Sequence, residues 1–508
     1  MTVAEDRPTA GRLAPQHGRI GGPIDHTRMP LLEAMRWYRE ADFASFATPG
    51  HRMGVGAHPL LRELYGEAGL AYDIPVSGGA TDVHFQEDVW LEAERLGADA
   101  WGADRSYYLV NGSSAGNIAF FLAHLGPGDT VVIARDIHKS LLAALIQTGA
   151  RPIYVAPRLH PTLNFGLGIH PDDVARALAI HPEAKLVALV SPSYSGVSSD
   201  LETIAWLCHL HGIPCYVDEA WGPHFHFHPD LPPSAMASGI DGAVTSTHKV
   251  LGAITQSAVL NVQGERVNQP RLTTAVGMAQ TTSPAAYILG SIDACRSQMA
   301  LDGRRLLDDV LELAADARRR LREIPGITLI DGESLGVGDR YDPTKLVIDV
   351  LGLGLTGFQV EAELRYRFAI NPEASDLVSI ICFLTIGDTR AGVDRLVAAL
   401  RALSEEDRPA VEVDAALRSS GRAIEPGFQS ITPREAYFAP SRAVPLAESA
   451  GQIAADLVIP YPPGIPVIAP GDIIAPSKIE YLRVAVASGV YVSGSADPTL
   501  ATIRVVEM

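Results

Sequence analysis

At 508 residues, with 47% hydrophobic and 20% charged positions, the chain is long enough for two or three domains with sizeable cores and is composed like an ordinary globular enzyme. A formal charge of −18 argues against a nucleic-acid partner, since Arg318-Arg319-Arg320 is the one dense basic run, and it favours a cationic small molecule instead. Four cysteines (Cys208, Cys215, Cys295, Cys382) keep no zinc or disulfide spacing, which suits a reducing cytoplasm, and neither a secretory pattern in the first 22 residues nor a membrane-spanning apolar run is read.

Residues 1 to about 28 read as an arm with no assigned structure. Residues 31–38 have helical period and lead into Phe46-Ala47-Thr48-Pro49-Gly50-His51-Arg52-Met53-Gly54, which by itself is a connecting loop. Residues 107–110 predict a short strand, followed by the small-residue stretch Asn111-Gly112-Ser113-Ser114-Ala115-Gly116-Asn117 and an apolar helix. Such a loop offers backbone N–H groups and hydroxyls to an anion such as phosphate, and it fits ordinary serine capping equally well.

Strands at 130–134, 152–155, 185–190 and 213–217 then alternate with helices. One helix ends near Gly149, one over 171–180 has proline in its first turn, and one near 201–208 has Ser199 and Glu202 as a capping box and Gly212 as its stop. The short apolar run Gly242-Ala243-Val244 ends at Thr245-Ser246-Thr247-His248-Lys249. Near-continuous apolar strands between amphipathic helices imply a mostly parallel sheet covered on both faces, with ligands at the carboxyl ends of its strands. Ser113-Ser114, His138, Asp218, His248 and Lys249 all follow predicted strands.

Helical period resumes over 286–322, with a break expected at Asp302-Gly303. A second α/β unit follows, with strands at 327–330, 345–350 and 377–386 and helices at 356–368 and 390–403. The polar stretch 405–409 separates it from a smaller region that has a helix start at Pro433 and the turn-rich Ile459-Pro460-Tyr461-Pro462-Pro463-Gly464-Ile465-Pro466.

A lysine where a buried strand meets a turn loses hydration, which lowers its pKa and frees its amine to form an imine. Pyridoxal 5′-phosphate needs such a lysine, a carboxylate for its ring nitrogen, a cover for its flat ring, and hydroxyls with a helix N-terminus for its phosphate. Lys249, Asp218 and His138 meet the first three needs, and Ser113, Ser114 and Ser246 meet the last. Singly, Asp218 reads as well as a helix cap and His138 as a satisfied core histidine. Their order is more selective: Asp218 follows His138 by 80 residues and Lys249 follows Asp218 by 31. In His224-Phe225-His226-Phe227-His228 a strand would align the histidines as for a metal, but His224 reads better as a pocket residue and no metal is assigned.

On Thr48-Pro49-Gly50-His51, Asn111-Gly112-Ser113-Ser114, Asp136-Ile137-His138-Lys139-Ser140, Asp218-Glu219-Ala220-Trp221-Gly222, Ser246-Thr247-His248-Lys249 and Tyr461-Pro462-Pro463-Gly464-Ile465-Pro466, the chain resembles the bacterial ornithine/lysine/arginine decarboxylases that use pyridoxal phosphate. The resemblance implies an α/β protein of fold-type I: an arm over 1–35, an aspartate-aminotransferase-like large domain over 36–310, a small α/β domain over 311–408 and a C-terminal α+β domain over 409–508. It implies decarboxylation of a basic L-amino acid to its amine and CO2 at a site completed across a homodimer. Further cofactor contacts are then expected from Ala115, Ala220 and Trp221, with Thr282 and Ser283 serving the neighbouring subunit's phosphate. His248 would deliver a proton to the substrate Cα, and His224 would line the mouth beside Trp221.

Two departures from the family pattern bear on these expectations. The motifs begin within 50 residues of Met1, so the wing that assembles decamers is expected to be missing and a dimer or a small assembly of dimers is expected. Pro470-Gly471-Asp472 replaces Pro-Gly-Glu, so Asp472 is expected to meet the substrate's distal cation one methylene short, which favours lysine or arginine over ornithine. An aminotransferase or lyase on a related amino acid shares the scaffold and remains the alternative.

Overall fold

The structure, a computed structural model, describes residues 22–41, 43–76, 87–160, 163, 165–411, 427–461, 464–487 and 489–507; most of the expected arm and Pro462-Pro463 lie outside them. The main sheet is built from β1 (Arg105–Leu109), β2 (Thr130–Ala134), β3 (Arg151–Val155), β4 (Leu186–Val190), β5 (Cys215–Asp218), β6 (Gly242–Thr245) and β7 (Ala258–Val262). Their order is β1-β7-β6-β5-β4-β2-β3, and only β7 runs against its neighbours. All five side chains of Thr-Val-Val-Ile-Ala in β2 are buried, as a strand covered on both faces requires. The expected parallel sheet is thus present, with β7 as its one reversal.

Helix Pro171–Ile180 forms as read, with proline in its first turn. The next helix, Leu201–Leu210, is capped differently: Asp200 accepts from the Thr203 N–H at 3.1 Å, while the Ser199 hydroxyl accepts from Ile169 N at 3.0 Å. The carboxylate one residue later is the one that reaches the helix's free N–H groups.

Helix Ala286–Leu321 runs unbroken through Asp302-Gly303. Gly303 is there for packing, because a Cβ at that position would lie 3.2 Å from the Phe227 Cβ. The first half of this helix joins the core around Trp101 and Tyr108, and the second half joins the core of a second sheet. That sheet holds β8 (Thr328–Ile330), β9 (Lys345–Asp349), β10 (Ala374–Ser375) and β11 (Ser379–Phe383) in the order β10-β11-β9-β8, all antiparallel. The strand expected over 377–386 forms as β11, and a turn joins it to the short β10 before it, where the Asp376 carboxylate accepts from the N–H groups of Val378 and Ser379. A third core gathers Val444, Val458, Ile468, Leu482 and Val505 near the C-terminus. Arg135, at the end of β2, reaches this unit by donating to the carbonyls of Pro466 (2.6 Å) and Val467 (3.1 Å).

Candidate active site

The carboxyl ends of β1, β2, β4, β5 and β6 meet at one edge of the main sheet, and the reversed β7 brings its leading residues Thr255 and Gln256 to the same edge. A cavity of about 380 Å³ opens there, walled by Ser113, His138, Tyr194, Asp218, Trp221 and Lys249 among others.

Asp218 is buried at the tip of β5. Its Oδ2 accepts from Asn117 Nδ2 at 2.8 Å and its Oδ1 from Ala220 N at 3.1 Å, so its orientation is set from both sides. Asn117 is itself held, its Oδ1 accepting from the Tyr216 hydroxyl at 2.7 Å and its amide donating to Ser140 Oγ at 2.9 Å. His138 caps helix Lys139–Thr148 through Nδ1, which accepts from Ser140 N at 3.3 Å. Burial lowers the His138 pKa, with the Lys249 charge acting the same way against Asp218, so the ring meets the cavity neutral.

Lys249 lies in the short turn of helix after β6, its Nζ 4.2 Å from the centroid of the Trp221 ring. Burial lowers its pKa, while Asp218 and Glu373 pull the other way. His248 places Nδ1 2.8 Å from the Ser257 carbonyl, an acceptor, so Nδ1 carries the proton and Nε2 keeps its lone pair. Ser246 Oγ donates to Ser113 Oγ at 3.0 Å, joining two hydroxyls at the start of helix Gly112–His124.

Sequence comparison identifies the architecture. The profile of the Orn/Lys/Arg decarboxylase major domain matches residues 29–336, and that of the Orn/Lys/Arg decarboxylase C-terminal domain matches residues 426–494. The chain belongs to the Orn/Lys/Arg decarboxylase family. It is 39% identical over 484 residues to an arginine decarboxylase of Bacillus subtilis, covering 94% of this chain and 98% of that protein. To an arginine decarboxylase of Bacillus anthracis it is 37% identical over 480 residues, covering 94% and 97%. The fold is similar to that of the Francisella novicida lysine decarboxylase, with a TM-score of 0.80 at 22% identity over 94% of this chain and 81% of that one. The chain is therefore a decarboxylase of basic amino acids that depends on pyridoxal phosphate.

The decarboxylase's side chains fit that cofactor on their chemistry. A desolvated amine and a buried carboxylate open on one cavity, and paired serine hydroxyls stand at a helix N-terminus beside them. Asp136 also lines the cavity; its Oδ1 is buried without a partner, and burial pushes its pKa up to about 6.

Among the expected residues, Ser113, Ser114, His138, Asp218, Ala220, Trp221, Ser246, His248 and Lys249 come together around this cavity. Ala115 is buried one step further along the same helix. Thr282 and Ser283 are exposed and lie away from the chain's own cavity. Two expectations are corrected. Asp472 does not face the cavity: it is 1% exposed, and its Oδ2 accepts from Arg135 Nη2 at 3.1 Å with Lys478 Nζ at 3.6 Å. Two cations have claimed the carboxylate, and a third would find it neutralised. His224 does not line the mouth either, being fully buried behind it with Nε2 3.4 Å from Asp342. The segment after it is a 3-10 turn, Phe225–Phe227, so the three histidines diverge: His226 lies by Ser234 and His228 by Asp308.

Three polar residues at the site were not picked out by sequence reasoning. Asn117 had a signal, as a buried amide within an otherwise apolar helix. Glu373 and Lys345 had none, because they arrive from the second sheet. The Tyr194 hydroxyl donates to Glu373 Oε1 at 3.4 Å, and Glu373 acts electrostatically on both Lys249 and Lys345.

Proposed function

We propose that the chain decarboxylates arginine to its amine and CO2, with Lys249, Asp218, His138 and His248 as its catalytic residues. The observation that carries the reading is the single cavity onto which a desolvated Lys249, an oriented Asp218 and a neutral His138 all open. The arginine decarboxylases of Bacillus and Halalkalibacterium, 36–39% identical along nearly the whole chain, support arginine over lysine or ornithine.

Bound pyridoxal phosphate supplies an electron sink for the pair left on the substrate Cα when CO2 departs. Lys249 would hold the cofactor through its amine and Asp218 would sit against its ring nitrogen. His138 would cover the ring, and Ser113, Ser114 and Ser246 would take the phosphate, with Ala115, Ala220 and Trp221 completing the walls. His248, whose Nε2 lone pair would first take up a proton from solvent, would give that proton to Cα after the bond breaks and return to its neutral form. Glu373 replaces Asp472 as the group that receives the substrate's distal cation. Glu373 accepts from the Tyr194 hydroxyl of the cavity wall, acts electrostatically on Lys249 and has no ion pair among the described residues, which supports this role.

The chain acts as a homodimer in which Thr282 and Ser283 complete the partner's phosphate site. Their exposure, and that of the apolar Leu64 (72%) and Tyr65 (63%), support a covered surface. The division into a large domain over 36–310, a small domain over 311–408 and a C-terminal domain over 409–508 is supported by distinct apolar clusters around Val132 and Leu189, around Val360 and Leu400, and around Val458 and Leu482. All four cysteines are free, which suits the cytoplasm.

The test is CO2 release from arginine, lysine and ornithine by cofactor-loaded protein, with Lys249→Ala as control. Release from arginine that the control loses is expected. Release from lysine or ornithine alone rejects the arginine assignment, and release from none rejects the standard basic substrates.

A further inference from the structure

β9 opens on a residue that the pattern of a buried strand does not ask for. Lys345 is 1% exposed, among apolar neighbours Leu346, Val347 and Ile348. Burying an ammonium is costly unless something replaces its water. The replacement here is mostly aromatic: Lys345 Nζ lies 3.8 Å from the centroid of the Trp221 ring and 4.5 Å from that of Phe383. Lys249 Nζ is 4.2 Å from the same Trp221 centroid, so two lysines from two sheets share one indole. Tyr194 and Phe383 meet that indole edge-on at 5.2 and 5.3 Å.

The backbone around Lys345 is shaped to admit it. Gly196, at φ +95°, belongs to the loop that carries Tyr194, and a Cβ there would lie 2.7 Å from Lys345 Cγ. Asp342 N donates to Gly196 O at 2.8 Å and Ser198 N to Arg340 O at 2.7 Å, stitching the cavity wall to the approach of β9. Asp342 Oδ1 accepts from Thr344 N and Oγ1 and lies 3.4 Å from His224 Nε2, while its Oδ2 is buried with no hydrogen-bond partner among the described residues.

We propose that Lys345 is a positioning residue for the decarboxylation: its ammonium pins the Trp221 indole beside Lys249 and fastens the second sheet to the cavity wall. This rests on the reading of the cavity as the decarboxylation site. The charged groups facing Lys345 are Asp342 before β9, Glu373 beside β10 and Lys249 after β6, with Arg318 on the long helix donating to the Lys345 carbonyl and His224 behind Asp342. Burial lowers the Lys345 pKa to about 8, with Lys249 acting the same way and Asp342 and Glu373 opposing. A cation holds an aromatic face only while charged, so the pin is present at lower pH and weakens as pH rises through that value.

The experiment follows the indole directly. Near-ultraviolet circular dichroism of the holoenzyme is recorded from pH 6 to 10, and the Trp221 contribution is taken as the difference from an identically loaded Trp221→Phe protein. In the parent this signal is expected to titrate near pH 8. Lys345→Met should abolish the titration and lower kcat/KM by about tenfold or more, the scale of a desolvated cation–π contact. Lys345→Arg, charged throughout, should hold the low-pH signal across the range and recover most of kcat/KM. If Lys345→Met does not fold, the double variant Lys345→Met/Asp342→Asn, which removes both charges, serves in its place. A titration that persists without Lys345, or a Lys345→Arg protein as impaired as Lys345→Met, overturns the proposal. The dichroism needs no turnover, so a parent that titrates as expected yet releases no CO2 would sink the functional reading and leave the pin standing.

Discussion

Replacing Glu373 with glutamine keeps the acceptor for the Tyr194 hydroxyl and removes the charge. The residue is more than a third exposed, and partial burial raises its pKa while Lys345, the Tyr194 hydroxyl and Lys249 lower it. A hydrogen bond to a charged group contributes about 1.5–3 kcal/mol and a neutral one about 0.5–1.5 kcal/mol, so the expected loss is about 1–2 kcal/mol. Solvent screening keeps it near the lower end. Glu373→Gln should therefore lower kcat/KM for arginine about 5- to 30-fold, mostly through KM. The assay is amine release from arginine compared with citrulline, which has nearly the same shape without the cation; the parent's preference for arginine should collapse in the variant. Because the Glu373 pKa is raised, the parent's KM for arginine should climb as pH falls through that raised value, and the variant should lack this limb. An equal proportional loss on both substrates, or none on arginine, would refute the reasoning.

Asp472→Asn leaves Arg135 and Lys478 buried without their carboxylate, so a stability loss of about 3–5 kcal/mol is expected by thermal melting. Its KM for arginine should stay at the parent value; an undiminished melting temperature with a raised KM would return Asp472 to the substrate. Glu219 accepts from Ala235 N at 2.7 Å, and burial pushes its pKa up to about 8 from an ordinary 4.5. Between those values the folded chain keeps a proton that the unfolded chain gives up, so this contribution to stability is full below pH 4.5 and lost as pH rises toward 8. Glu219→Gln should melt like the parent near pH 5 and higher than it at pH 8, and parallel melting curves across that range would contradict the assignment. Gly242→Ala would set a Cβ 2.2 Å from Phe120 Cε2, an overpacking expected to lower stability by about 1–3 kcal/mol. Phe120 stacks on Tyr216 at 4.3 Å, and Tyr216 holds Asn117 and through it Asp218, so kcat should fall as well. An unchanged melting temperature would show that the strand shifts freely.

Much of the site was legible because it is local. Ser113-Ser114, His138 and His248-Lys249 each sit about one turn past an apolar strand and Asp218 ends one, and in a parallel sheet all such ends point the same way. The order of those residues along the chain then matched one family. Errors arose where a residue's role depends on distant neighbours. Asp472 resembled a substrate ligand until Arg135, 337 positions away, was found against it. The His224 to His228 run alternates like a strand, but the backbone coils there, and each ring found a separate partner. Gly303 looked like a helix break and is a contact surface for Phe227.

The sequence by itself determined the alternation of strands and helices and the side chains suited to the cofactor, because these depend on periodicity and on residues carried at strand ends; the reaction class came from the family that its motifs resemble. Only the tertiary structure decided that Asp472 is paired with Arg135 and Lys478 and that Lys345 stands against Trp221. Glu373 and Lys345 reach the wall residues Tyr194 and Trp221 by the packing of one sheet against another, and the energy of a buried charge is set by whatever that packing brings beside it.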